Sequence, residues 1–134
     1  MRLNEIWDLN CANSRSERVP LHPILLRLTP AIEWAQKHLL IVLAERGIPL
    51  EFNPSSNWRI AQAENPAELP FIRVLTAFKD MVLATINTDN PGIFETRIEN
   101  EYAIVFQGLR DQGLSRATAL SVLERLRTVG MAVP

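Results

Sequence analysis

The sequence predicts an α/β fold built on parallel strands. Segments with helical spacing alternate with short apolar, β-branched segments, which is typical of a parallel sheet covered by helices. Two of these apolar segments, 48–52 and 81–86, are predicted strands, and the stretch between them is long enough to hold a crossover helix. Each predicted strand runs into a loop rich in Asn, Pro, Ser or Asp.

The first half of the chain contains one strongly patterned helix. Apolar residues at helical spacing predict a helix over 3–12, and a very short strand is predicted over 18–21. Prolines in 22–30 predict a stretch that is irregular or only partly helical. Over 31–46 apolar residues recur at steps of three and four, which predicts a helix, and Gly47 is expected to end it in a left-handed conformation.

The second half repeats the alternation. The strand over 48–52 leads into a predicted loop, Pro54–Asn57, and a segment with little pattern; a helix is then predicted over 67–79. The strand over 81–86 ends at a loop that runs from Asn87 to Gly92. A helix is predicted over 96–108, and Ser115 is expected to cap a last helix that ends near Gly130.

Composition excludes several classes of function. The 134 residues carry a formal net charge of −1, so there is no basic surplus to neutralise nucleic-acid phosphates. No apolar run approaches the length of a membrane span, and charges stand where a signal peptide needs an apolar core. The single cysteine, Cys11, cannot form an internal disulfide. We therefore expect a cytoplasmic protein with no nucleic-acid or membrane partner.

The loops after the two strands are the expected place for chemistry, because functional residues of parallel α/β folds lie at the carboxyl ends of strands. Asp89 follows a predicted buried strand, which would fix its direction as a metal ligand. The alternative is that Asp89 and Asn90 only form a turn before Pro91. The residues by themselves leave both interpretations open.

Two segments resemble the adenosine deaminase family. Gly47–Asn57 is similar to the family's seventh strand and its Pro-Thr/Ser-Ser-Asn loop. The run Asn87-Thr88-Asp89-Asn90-Pro91 resembles the Asn-Thr-Asp-Asp-Pro motif of the eighth strand, and Glu99, Glu101 and Tyr102 resemble the Glu-Tyr helix that follows. The resemblance implies that 1–134 is one incomplete domain, the C-terminal portion (about the last three βα units) of a TIM-type (β/α)8 barrel.

Membership would imply a zinc-dependent hydrolase that deaminates a purine nucleoside or a related purine. In the family the first Asp of the motif is a metal ligand, a position held here by Asp89. The second Asp contacts the purine ring, and Asn90 stands there in this chain. An amide can donate a hydrogen bond to a ring nitrogen, but it cannot ionise or exchange a proton.

The chain departs from the family elsewhere. The family's Arg-Ile/Val-Gly-His corresponds to Arg18–Pro23, where the glycine is missing and His22 comes one residue late. Either His22 polarises the attacking water as the family's His does, or it is a turn histidine between prolines. With only two histidines and no His-x-His, the chain lacks the family's other metal ligands. We expect it to be inactive alone, and to need the missing N-terminal barrel part or self-association.

Three functions follow from these observations. The first is a C-terminal piece of an adenosine deaminase-like hydrolase that contributes Asp89 to a zinc site. The second is a non-catalytic relic or interaction module that oligomerises or supports another chain, which Asn90 and the altered Arg18–Pro23 stretch favour. The third is an unrelated small α/β module whose Ser55, Ser56 and Asn57 hold an anion through loop amides.

Overall fold

The computed structural model describes residues 23–132. The described residues divide into two units, with the boundary between Ala35 and Gln36. The described part of the first unit, 23–35, is helical. The predicted helix over 3–12, the predicted strand over 18–21 and His22 lie outside the described residues. Over 23–132, no helix is long and apolar enough to cross a membrane.

The first described helix, α1, spans Pro23–Glu45. The prediction that 22–30 is irregular or only partly helical was therefore wrong for residues 23–30, all of which are helical. Proline is tolerated in the first turn of a helix, and the leucine-rich residues after Pro23 are good helix formers. Pro30 lies inside α1, where it costs one backbone hydrogen bond without ending the helix.

The end of α1 confirms the predicted role of Gly47. Its φ is +64°, in the left-handed region. The Gly47 N–H donates to the Ala44 carbonyl at 3.1 Å, and the Ile48 N–H donates to the Leu43 carbonyl at 3.0 Å. This pair of bonds is a Schellman motif, which satisfies the last carbonyls of the helix and turns the chain toward the first strand.

The sheet consists of two parallel strands, β1 (Leu50–Phe52) and β2 (Ala84–Ile86). Leu50 is opposite Ala84, and Phe52 is opposite Ile86. Both predicted strands and their parallel arrangement are confirmed, although each strand is shorter than predicted. The α/β character of this part of the chain follows directly from the pairing.

Two helices and a 3-10 turn connect the strands. They are α2 (Pro54–Ala61), the 3-10 turn (Pro66–Glu68) and α3 (Pro70–Ala77). The prediction of a loop over Pro54–Asn57 was wrong, because these residues form the first turn of α2. Pro54 suits that position, and a distant carboxylate accepts a hydrogen bond from the first turn, an interaction that local sequence does not reveal.

The chain after β2 is helical. It forms α4 (Pro91–Phe94), α5 (Ile98–Asp111) and α6 (Arg116–Ala132). Ser115 caps α6 as predicted, since its Oγ accepts a hydrogen bond from the Thr118 N–H at 3.1 Å. The core lies among α3, β2, α5 and α6 and consists of Leu69, Phe71, Ile72, Leu75, Ala84, Val105, Leu109, Ala119, Val122 and Leu126.

Candidate functional site

The carboxyl ends of β1 and β2 lie side by side. The Asn87 N–H donates to the Phe52 carbonyl at 2.9 Å, so the sheet ladder continues to the last residue of β1. Asn53 and Asn87 therefore begin their loops at the same edge of the sheet. The predicted position of both polar segments, at the carboxyl ends of parallel strands, is confirmed.

The segment after β1 is tightly bonded rather than open. The Asn57 N–H donates to the Asn53 carbonyl at 2.8 Å, and the Asn53 N–H donates to Asn57 Oδ1 at 3.3 Å. Ser55 and Ser56 are buried. The Trp58 indole N–H donates to the Ala63 carbonyl at 2.6 Å, which fixes the far end of α2.

The side chain of Glu101 already occupies the start of α2. The Ser55 N–H donates to a carboxylate oxygen of Glu101 at 2.7 Å. A second anion beside that carboxylate would meet like-charge repulsion. This arrangement argues against the interpretation in which the amides of Ser55, Ser56 and Asn57 hold an anion.

The segment after β2 presents Asp89 to solvent. Asp89 is exposed and has a φ of +59°, a left-handed conformation that Asp and Asn adopt more readily than most residues. Asn90 is the N-cap of α4, since its Oδ1 accepts a hydrogen bond from the Ile93 N–H at 3.2 Å. Asn90 therefore forms a turn before Pro91, as the alternative interpretation expected. The Asp89 carboxylate lies at the carboxyl end of β2.

The described residues do not supply a complete zinc site. A catalytic zinc takes three protein ligands, drawn from His, Cys, Asp and Glu. Within 23–132, no group of three such side chains is placed to hold a metal. Asp89 is thus a single carboxylate, and His22 lies outside the described residues.

Glu101 is a site residue to which sequence reasoning assigned no role. Its side chain is fully buried; Oε2 accepts the Ser55 N–H at 2.7 Å, and Oε1 accepts the Thr96 hydroxyl. The available signal was its spacing, because Glu101 shares a helix face with the buried Val105 and Leu109. A carboxylate on an apolar face requires buried partners.

Tyr102 follows Glu101 on α5 and is half-buried. Burial raises the pKa of its phenol, so the hydroxyl stays protonated at neutral pH. Tyr102 also packs against the core rather than standing free at the sheet edge.

A shallow groove of about 320 Å³ lies elsewhere. It is at the amino end of β2, where Arg125 of α6 donates to the Val82 carbonyl at 2.6 Å. The groove is therefore separate from the strand ends that carry Asp89. Its lining consists of Lys79, Asp80, Thr118, Ser121, Val122, Glu124 and Arg125.

The family model described as adenosine deaminase matches residues 31–124. The chain belongs to the adenosine deaminase family. The resemblance inferred from the two strand-end motifs is thereby confirmed, and both motifs lie inside the matched region.

Curated relatives of this deaminase-family chain are aminodeoxyfutalosine deaminases. The protein of Streptomyces coelicolor (strain ATCC BAA-471 / A3(2) / M145) is 40% identical over 79 residues, 58% of this chain and 20% of that protein. The protein of Acidothermus cellulolyticus is 31% identical over 119 residues, 84% of this chain and 32% of that protein. The chain therefore spans a third or less of the length of these relatives. Among solved structures, none matches the chain.

Proposed function

We propose that the chain forms part of a zinc-dependent deaminase that removes the exocyclic amine of a purine nucleoside-type substrate by hydrolysis. The observation that carries the proposal is the Asp89 carboxylate, exposed at the carboxyl end of β2 within the family's strand-end motif. The relatives are named for aminodeoxyfutalosine, so that compound is the first substrate to test.

The proposed architecture is the last part of a (β/α)8 barrel. The parallel pairing of β1 and β2 and the packing of α6 against β2 support this placement. Among the described residues each strand pairs on one side only, which leaves room for further strands. The remaining strands and metal ligands would come from residues outside the described part, whether on this polypeptide or on a partner.

Asp89 and Asn90 would have different roles in that site. Asp89 would supply one of several zinc ligands, and a bound zinc would provide an activated water at neutral pH. Asn90 uses its Oδ1 to cap α4, so its amide N–H groups remain as donors toward a substrate ring nitrogen. His22 would assist the water if it occupies the position of the family's histidine.

A chimera tests the proposal. In the Streptomyces coelicolor relative, the part that corresponds to residues 31–124 of this chain is replaced by those residues. We expect the chimera to hold zinc and to deaminate aminodeoxyfutalosine, whereas the 134-residue chain alone remains inactive. Asp89→Asn should keep the backbone, because Asn also tolerates the left-handed region, and should lower kcat/KM by more than about a hundredfold with loss of zinc.

Glu95→Gln is the matched control, because Glu95 is also an exposed acid with a left-handed backbone, at φ +50°. It should leave zinc content and kcat/KM unchanged. A folded chimera in which Asp89→Asn stays fully active would refute the metal-ligand role. A folded chimera without zinc or turnover would instead favour the non-catalytic interaction module, for which the Asn90 replacement is the specific observation.

A further inference from the structure

We propose that Glu101 is a positioning residue that joins the segment after β1 to the segment after β2. The inference rests on the proposed function, because these two segments form the candidate site. Glu101 lies on α5 and touches both through its two carboxylate oxygens. It is not proposed to contact substrate or metal.

The contact with α2 acts on the start of that helix. The Ser55 N–H is one of the first-turn donors that have no partner within the helix. A carboxylate there satisfies the donor and interacts favourably with the positive end of the helix dipole. Ser55 is two residues after Asn53, so Glu101 determines where the chain turns after β1.

The contact with Thr96 anchors the same carboxylate to the other segment. Thr96 is buried between α4 and α5, seven residues after Asp89. Its hydroxyl donates to Oε1 while Oε2 holds the Ser55 N–H, so one rigid carboxylate bonds residues from both strand-end segments. The distance along the chain between Ser55 and Glu101 is 46 residues, so only the tertiary fold makes this link.

The chemistry at position 101 favours positioning over simple space filling. A buried carboxylate costs desolvation free energy, and a well-packed apolar residue of similar volume is often at least as stabilising. On the face shared with Val105 and Leu109, an apolar side chain would complete the core. What the carboxylate adds is directional hydrogen bonding to two segments at once.

The test uses amide hydrogen exchange and NMR of the full chain. Glu101→Gln keeps the shape and removes the charge. Because charge-assisted hydrogen bonds are about twice as strong as neutral ones, we expect exchange of the Ser55 and Ser56 amides to accelerate at least ~tenfold more than that of the α6 amides. The Trp58 indole N–H resonance should shift. Glu99 is an exposed acid in the same first turn of α5, so Glu99→Gln is the control. It should change neither the amide exchange rates of Ser55 and Ser56 nor the Trp58 indole resonance.

Thr96→Val gives a second, nearly isosteric variant that leaves the carboxylate in place. If Glu101→Gln does not fold, the proposal is tested by comparing the amide exchange rates of α2 and α6 in Thr96→Val. Acceleration confined to α2 supports the proposal. Equal acceleration of amide exchange in α2 and α6 overturns the proposal, since the loss of a purely structural residue would lower protection from exchange throughout the chain. Unchanged exchange in both helices overturns it as well. Neither readout depends on turnover, so a failure here is distinct from a failure of the proposed function.

Discussion

Gly108 shows how a single residue sets the distance between two elements. It is buried in α5, where the helix faces the 3-10 turn. A Cβ at this position would come within 2.8 Å of Ile72 Cδ1 and 3.3 Å of the Pro66 carbonyl carbon. Ile72 is itself fully buried, so it has little space to move away. The close approach of α5 therefore depends on the absence of a side chain.

We predict that Gly108→Ala lowers the free energy of unfolding by about 1–3 kcal/mol, because the core must expand to admit the methyl group. Gly130→Ala is the matched control. A Cβ there meets only Thr85 at 4.0 Å, so helix propensity should make the variant more stable by about 0.5–1 kcal/mol. Urea unfolding followed by circular dichroism measures both. Equal effects of the two substitutions would contradict the close approach.

At the scale of the element, one helix start is set by a local interaction and another by a tertiary contact. Ser115 begins α6 through its own hydroxyl, which is a local capping interaction. The start of α2 depends instead on Glu101, 46 residues from Ser55 along the chain. This difference explains why the start of α6 was predicted while the start of α2 was mistaken for a loop.

Removal of the Ser115 cap should destabilise the chain measurably. We expect Ser115→Ala to cost about 1 kcal/mol of unfolding free energy, since the Thr118 N–H loses its acceptor. Ser121→Ala, an exposed position inside α6, is the control and should be neutral or slightly stabilising. Thermal and urea unfolding of both variants provide the comparison. A loss of the same size at Ser121 would show that the cap is not the cause.

At the scale of the whole molecule, exposed apolar surface is the main feature. The exposed large apolar side chains include Leu39 on α1, Ile60 on α2 and Leu83 beside β2. Within residues 23–132, each strand of the two-stranded sheet has one unpaired edge. Unpaired parallel edges next to apolar side chains are templates for association.

We predict that the isolated chain self-associates through its strand edges. Light scattering in line with chromatography should give a mass above that of one chain, which rises with concentration. Leu83→Lys should shift the population toward monomer, because lysine beside an edge strand opposes pairing. Ile60→Lys, also an exposed apolar position but on α2, should have little effect. Equal dispersal by both variants would indicate non-specific apolar contact instead of edge pairing.

The sequence by itself determined the α/β class, the two parallel strands, the Gly47 and Ser115 caps and the family. The class, the strands and the caps depend on spacing and turn chemistry among residues close together in the chain, whereas the family was inferred from the resemblance of two strand-end motifs. It did not determine the helical conformation of Pro54–Asn57, the continuation of α1 through Pro30, or the burial of Glu101. The burial of Glu101 and the start of α2 rest on a contact between residues far apart in sequence, which exists only once the tertiary structure brings the segments together.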